Sequence, residues 1–171
     1  MKNLKVPLMK QKTEISCGIT ALRMVLNYLG KNVSSKKIIK KVGGLKKDGV
    51  STISLAEFAN NVGFETEIYS FNNKLSKGKA KIKKPSKSTI IKFLRKNLPI
   101  ILAVNSSILY NEKKSDKGHF IVITNYEKRK FWYNDPYNGK QHKIKEKYLI
   151  SALNKNALNS SAYLLTLKKQ S

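Results

Sequence analysis

The stretch QKTEISCG, residues 11–18, holds the only cysteine of the chain, directly before a glycine and a run with helical spacing. A thiol in the first turn of a helix meets unpaired backbone N–H groups and the positive end of the helix dipole, which favour the nucleophilic thiolate. Ser16 is the expected N-cap, and Gly18 leaves the approach to the thiol uncluttered. A lone cysteine also serves as a small buried hydrophobe, so residue type alone leaves Cys17 open between the two roles.

Two further residues bear on that choice. His119 begins a strongly apolar stretch and Asp135 ends the next one, so a hairpin would carry both to one end of a sheet. A histidine held by a carboxylate can shuttle the proton that a thiolate nucleophile must deliver to its leaving group. Attack on a carbonyl also needs donors for the developing oxyanion, and the Gln11 side-chain amide with the Cys17 backbone N–H supplies a pair. Taken singly, each has an ordinary alternative: a histidine satisfied within a sheet, an Asp-Pro turn, a surface glutamine. His142 sits in the polar stretch GKQHKIK with no carboxylate in an evident partner position, and is left out of the site. Alternation with Phe131 and Tyr133 assigns Trp132 to the core of the sheet rather than to a cofactor.

The elements that must position these residues are visible as periodicity. Ala21, Leu22, Val25, Leu26 and Leu29 repeat at helical spacing from Cys17 to the stop at Gly30, predicting an amphipathic helix. Ser34 or Ser35 caps a second helix through Val42, and Ser54 with Glu57 has capping-box spacing for a third, followed by a strand from Phe64 to Tyr69. Residues 72–87 read as a lysine-rich surface loop, Ser88 as the cap of a helix to Leu98, and Ile100–Val104 as a buried strand. Strands 118–127 and 130–135 form a hairpin turning at Lys128 and Arg129, followed by a short helix over 145–155 and a closing strand over 162–167.

Composition bounds the rest. The chain has 171 residues and 40% hydrophobic content, enough for one core, and the expected organisation is a single domain, 1–171. One cysteine permits no internal disulfide and no Cys-rich zinc site, and neither a metal nor a cofactor is implied. The N-terminus lacks a signal-peptide core, so the expected location is cytoplasmic. The net charge of +25, from 35 Lys+Arg against 10 Asp+Glu, suits polyanions, yet the excess is almost all lysine, as A/T-rich coding would also supply. Only Arg23, Arg95 and Arg129 offer guanidinium groups, which disfavours nucleic acid as the partner and leaves peripheral membrane contact through the basic surface open.

Gln11 together with SCGITALRMVLNYLGKNVS, STISLAEFANNVGF and GHFIVITNYEKRKFWYNDP resembles the C39 peptidases, a papain-like cysteine peptidase family. The resemblance runs in family order over most of the chain. It implies an α+β papain-like fold, with N-terminal helices packed on a C-terminal antiparallel β-sheet. It also implies Cys17 as nucleophile, His119 as general acid/base, Asp135 as the residue orienting it and Gln11 in the oxyanion hole. The implied substrate is a peptide or precursor protein, with leader removal after a Gly-Gly pair as in the best-known members. Those members are usually domains of an ABC exporter; no transporter portion is present here, so any exporter would be a separate partner. The segment between Cys17 and His119 reads as longer than in compact members, the additions being the lysine-rich loop and SSILYNEKKSDKG, both expected to border the cleft. Two other readings use the same residues: acyl transfer to an amine through the same thioester, and a non-catalytic module binding an acidic peptide or another polyanion.

Overall fold

The chain runs through α1 (Cys17–Tyr28), α2 (Ser35–Lys41), α3 (Thr52–Asn61), β1 (Phe64–Ser70), α4 (Asn73–Ser76), β2 (Lys81–Ile82) and α5 (Lys87–Leu94). It continues with β3 (Ile100–Asn105), α6 (Ser106–Tyr110), β4 (Gly118–Glu127), β5 (Lys130–Asp135), β6 (Lys140–Lys145), α7 (Glu146–Ala157) and β7 (Leu164–Lys169). This is a computed structural model, and it describes residues 1–113 and 116–171. Among the described residues one seven-stranded sheet has the order β2-β1-β7-β3-β4-β5-β6. Every neighbouring pair is antiparallel except β1 with β2. The fold is thus α+β, with helices preceding, interrupting and following the strands rather than all preceding them.

The helix starts follow from serine and asparagine chemistry, but not always at the expected residue. Ser34 caps α2 by accepting from the Lys37 N–H, as anticipated. α3 begins three residues earlier than the Ser54–Glu57 spacing suggests, because Ser51 takes the Ser54 N–H and Glu57 instead pairs with Lys79. α5 is likewise capped by Ser86, which accepts from the Thr89 N–H, rather than by Ser88. Residues 72–87 are more than a loop: Asn72 caps the short α4, and Lys81 and Ile82 pair with β1 as an edge strand.

α1 is less amphipathic than its sequence suggests. Ile19, Ala21, Leu22, Met24, Val25 and Leu26 are all fully buried. Arg23 is partly buried and donates to the Val33 carbonyl at 2.9 Å and to the Ser35 hydroxyl at 3.2 Å. The helix packs against β4 and β3, while α7 crosses β3 and α3 lies against β1. β3, flanked by β4 and β7, is buried along its whole length, which explains its unbroken apolar run. Trp132 corrects the expectation made for it: Phe131 and Tyr133 are buried, whereas Trp132 is half-exposed, with the Lys143 ammonium 4.2 Å from its ring centroid.

The β4–β5 hairpin turns through Lys128 and Arg129 at φ 49° and 61°, between the paired residues Glu127 and Lys130. Two successive positive φ values are the type I′ geometry that matches strand twist, but side chains with a Cβ resist it. Replacing Lys128 and Arg129 by Asn and Gly is expected to raise stability by about 1 kcal/mol, and Tm by about 3 °C in thermal denaturation.

Candidate active site

The site begins with a close approach of α1 to β4. Cys17 is the first residue of α1. A Cβ on Gly18 would stand 2.8 Å from Val50 Cγ1 and 3.0 Å from the Phe120 ring, so only glycine lets the helix start seat beside His119. Gly18 is therefore buried between two side chains and does not open an approach to the thiol. Ser16 does not cap the helix: its hydroxyl donates to the Thr13 carbonyl and accepts the Thr13 N–H, both at 3.0 Å, closing the turn that precedes Cys17. The turn at Lys46–Gly49 backs this segment, with Gly49 at φ 88° and a Cβ there 2.9 Å from the Ile15 carbonyl oxygen.

His119 lies opposite Val104 in the β3–β4 ladder, and Asp135 ends β5. His119 Nε2 is 2.7 Å from Asp135 Oδ1. The same oxygen accepts the Tyr137 N–H at 2.9 Å, and Oδ2 accepts the Tyr110 hydroxyl at 2.7 Å. Asp135 has no exposed surface, and burial alone would push its carboxyl up; the hydrogen bonds from His119, Tyr110 and Tyr137 with the His119 charge hold it below its usual value. An ionised carboxylate only accepts, so Nε2 carries its hydrogen towards Asp135 and Nδ1 is the ring nitrogen left for Cys17.

The thiol and imidazole shift one another. Burial lowers the His119 pKa, but hydrogen bonds with Asp135 and with Cys17, and the charges of both, outweigh it and push it up to about 9. Burial raises the Cys17 thiol, but the hydrogen bond and charge of His119, with the backbone at Phe120 and Gly18, bring it below the ordinary value. Each shift favours the charged partner, thiolate on one side and imidazolium on the other, and the two groups titrate as a unit.

Of the residues singled out in the sequence, His119 and Asp135 are hydrogen-bonded, and Cys17 stands near enough to His119 for each to shift the other's pKa. Gln11 is attached differently. Its backbone N–H donates to the Pro136 carbonyl at 2.7 Å, and its side-chain amide donates to the Thr13 carbonyl at 2.9 Å, while Oε1 is buried with no hydrogen-bond partner among the described residues. Its segment is held by a bulge in β4: the ladder skips Thr124, whose carbonyl accepts the Leu4 N–H at 3.0 Å, and Asn134 donates to the Val6 carbonyl. His142 stands apart, bonded to Asn138 with its ring against Tyr133. Among the described residues no three His, Cys, Asp or Glu side chains converge to hold a metal ion, and no helix is long and apolar enough to cross a membrane.

Tyr110 is the residue that sequence reasoning missed. It ends α6, whose first turn is organised by Asn105 Oδ1 accepting from Ile108 N and Ser107 Oγ. Its ring lies 5.8 Å from that of His119 and 5.9 Å from that of Tyr137. The only sequence signal was its place in SSILYNEKKSDKG, expected to border the cleft. Of that addition, α6 does meet the site, whereas Lys114 and Ser115 lie outside the described residues. The other addition, 72–87, sits on the β1–β2 edge, separated from β4 by β7 and β3.

The Peptidase C39 like family matches residues 3–164. No curated protein sequence matches the chain. A C39-like peptidase described from Bacillus anthracis superposes with a TM-score of 0.71 at 15% identity, covering 100% of both chains. The peptidase domain of Streptococcus ComA, a bi-functional ABC transporter, gives 0.65 at 18% identity over 96% of this chain and 99% of that one. A double-glycine-motif protease from an AMS/PCAT transporter, solved with its leader peptide, gives 0.62 at 21% identity over 98% and 94%.

These couplings set an expectation for thiol reactivity. At about pH 6, iodoacetamide should label Cys17 faster than a free thiol, and His119→Ala should slow it at least tenfold. Tyr110→Phe leaves Oδ2 buried without a donor, which removes one of the hydrogen bonds that hold the Asp135 carboxyl below its usual value. Its expected signature is an upward shift of the Asp135 titration, read by NMR, with labelling of Cys17 changed only severalfold.

Proposed function

The chain belongs to the Peptidase C39 like family, and from that premise we propose that it is a cysteine endopeptidase acting on precursor peptides. The observation that carries this reading is the buried Asp135–His119 pair beside a half-buried thiol whose pKa is lowered by His119. The Cys17 thiolate attacks the carbonyl carbon of the scissile bond, and the carbonyl π-electrons move to oxygen. The Cys17 backbone N–H and the Gln11 amide stabilise that oxyanion, the latter by turning a hydrogen from its bond to Thr13. The His119 imidazolium then gives its proton to the leaving amine as the C–N bond breaks, and the acyl group remains on sulfur as a thioester. Water attacks the thioester as neutral His119 takes its proton, the acid is released and Cys17 is regenerated. Asp135 holds the imidazole orientation throughout and stabilises its charged form.

The proposed substrate class is a leader-bearing precursor cut after a Gly-Gly pair, the motif named for one structural neighbour. A separate ABC exporter would carry the transport that two neighbours have in their own transporters.

The test is cleavage of a synthetic precursor containing one Gly-Gly pair, with products identified by mass spectrometry. Cys17→Ala should abolish cleavage, and retention of the full rate would overturn the proposal. Gln11→Ala is expected to lower kcat by about two to three orders of magnitude. Product bearing an added amine in place of water would assign the enzyme to acyl transfer. The profile of kcat/KM should rise as Cys17 deprotonates and fall as His119 loses its proton; since the pair titrates together, the two limbs belong to the pair.

A further inference from the structure

The segment from Phe71 to Lys84 presents an inverted surface. Ser70 and Ser76 are fully buried, while their neighbours Phe71 and Leu75 are 41% and 45% exposed, and Ile82 is 51% exposed. Folding energetics alone favours the opposite arrangement, with the apolar side chains covered and the hydroxyls in water. Leu158, 58% exposed, joins the group because Asn72 Nδ2 donates to its carbonyl at 2.6 Å. Half of the eight strongly exposed large hydrophobic side chains among the described residues therefore stand at this one corner.

These side chains are not exposed through looseness. Lys83 N–H donates to the Ser70 carbonyl at 2.9 Å, Tyr163 donates to the Lys83 carbonyl at 2.8 Å, and Asn72 Oδ1 accepts the Leu75 N–H at 3.0 Å. The backbone is fixed with its apolar tips outward. Around them stand Lys74, Lys77, Lys79, Lys81, Lys83 and Lys84, and no acidic residue occurs between Glu67 and Glu112. Lys79 and Lys81 are paired with Glu57 and Glu67, leaving Lys74, Lys77, Lys83 and Lys84 as the cationic rim.

We propose that this corner docks on an anionic phospholipid surface, with Phe71, Leu75, Ile82 and Leu158 entering the interface and the lysines facing headgroups. A bilayer offers an apolar layer beneath a negative one, which matches both parts of the patch. A nucleic acid would satisfy the lysines but leave three aliphatic tips in water. The strand register adds a consequence: Ser70, Tyr163, Ala103 and Phe120, the residue next to His119, follow one another across the sheet, so the patch and the site lie at the same end. Docking would therefore turn the catalytic end of the sheet towards the bilayer. The inference does not rest on the chemistry assigned to Cys17.

The test is co-sedimentation of the full chain with neutral vesicles and with vesicles containing about 30 mol% phosphatidylserine. The expected result is binding to the anionic vesicles alone. The triple variant Phe71→Ser, Leu75→Ser, Ile82→Ser should lose at least tenfold in affinity while keeping the wild-type Cys17 alkylation rate, which reports an intact fold. Lys74→Glu, Lys77→Glu, Lys84→Glu should lose as much, whereas Lys128→Glu, Lys130→Glu, Lys147→Glu should lose less than threefold. An equal loss with the second charge set would show that net charge alone drives binding and would overturn the proposal. So would undiminished binding by the serine variant, no binding to anionic vesicles, or binding of soluble polyglutamate through these side chains in place of vesicles.

Discussion

The buried carboxylate of Asp135 is the constraint around which the site is built. A carboxylate without exposed surface must be supplied with donors or it takes up a proton, and here three arrive from separate elements. His119 reaches it from the start of β4, Tyr110 from the end of α6, and the Tyr137 N–H from the turn after β5. Each arrival dictates local structure. Asn105 must end β3 and start α6, Pro136 must stop β5 so that the chain folds back, and Gly139, at φ 68°, must leave room for Lys10. The thiol feels all of this at one remove, because the lowering of its pKa depends on an imidazolium whose charge the carboxylate supports.

The other half of the site is assembled from outside the sheet. The N-terminal segment forms none of the named strands, yet it is threaded along β4 and β5 by bonds to the Thr124 carbonyl, the Asn134 amide and the Pro136 carbonyl. The bulge at Thr124 makes the first of these available, since a residue skipped by the ladder keeps a carbonyl free to accept. An irregularity in the middle of the hairpin thus fixes the path of the chain that carries Gln11 and, beyond it, the turn leading into Cys17. The Gln11 amide is only half satisfied there, its Nε2 donating to the Thr13 carbonyl and its buried Oε1 without a hydrogen-bond partner among the described residues.

Much of this arrangement was legible in the sequence because it rests on long, strongly periodic stretches. The α1 run, the unbroken Ile100–Val104 strand and the hairpin from Gly118 to Asp135 lie close to where their patterns put them. What escaped depended on local competition or on partners distant in sequence. Ser51 and Ser54 are both plausible caps, and the choice between them is made by where the chain enters the helix. β2 is two residues long, too short for any pattern, and exists because β1 offers it an edge. Trp132 obeys strand alternation, but alternation cannot say which face has a core, and here the face carrying Phe131 and Tyr133 has it. Tyr110 sits in a five-residue helix with a partner twenty-five positions away, a contact that no local spacing encodes.

The large positive charge acts on stability and on the site in different ways. The exposed acids that have partners, Glu57, Glu65 and Glu67, meet lysines in surface ion pairs, each contributing at most about 1 kcal/mol. The remaining lysines repel one another and favour expansion, so the apolar core carries the burden of keeping the chain compact. That repulsion acts through water and weakens over a Debye length of about 8 Å at physiological ionic strength. The Asp135–His119 pair is buried, at hydrogen-bond range, with Cys17 half-buried beside it, and is screened far less. A chain with +25 net charge can therefore hold a buried carboxylate against an imidazolium, because their interaction is decided at close range inside the fold.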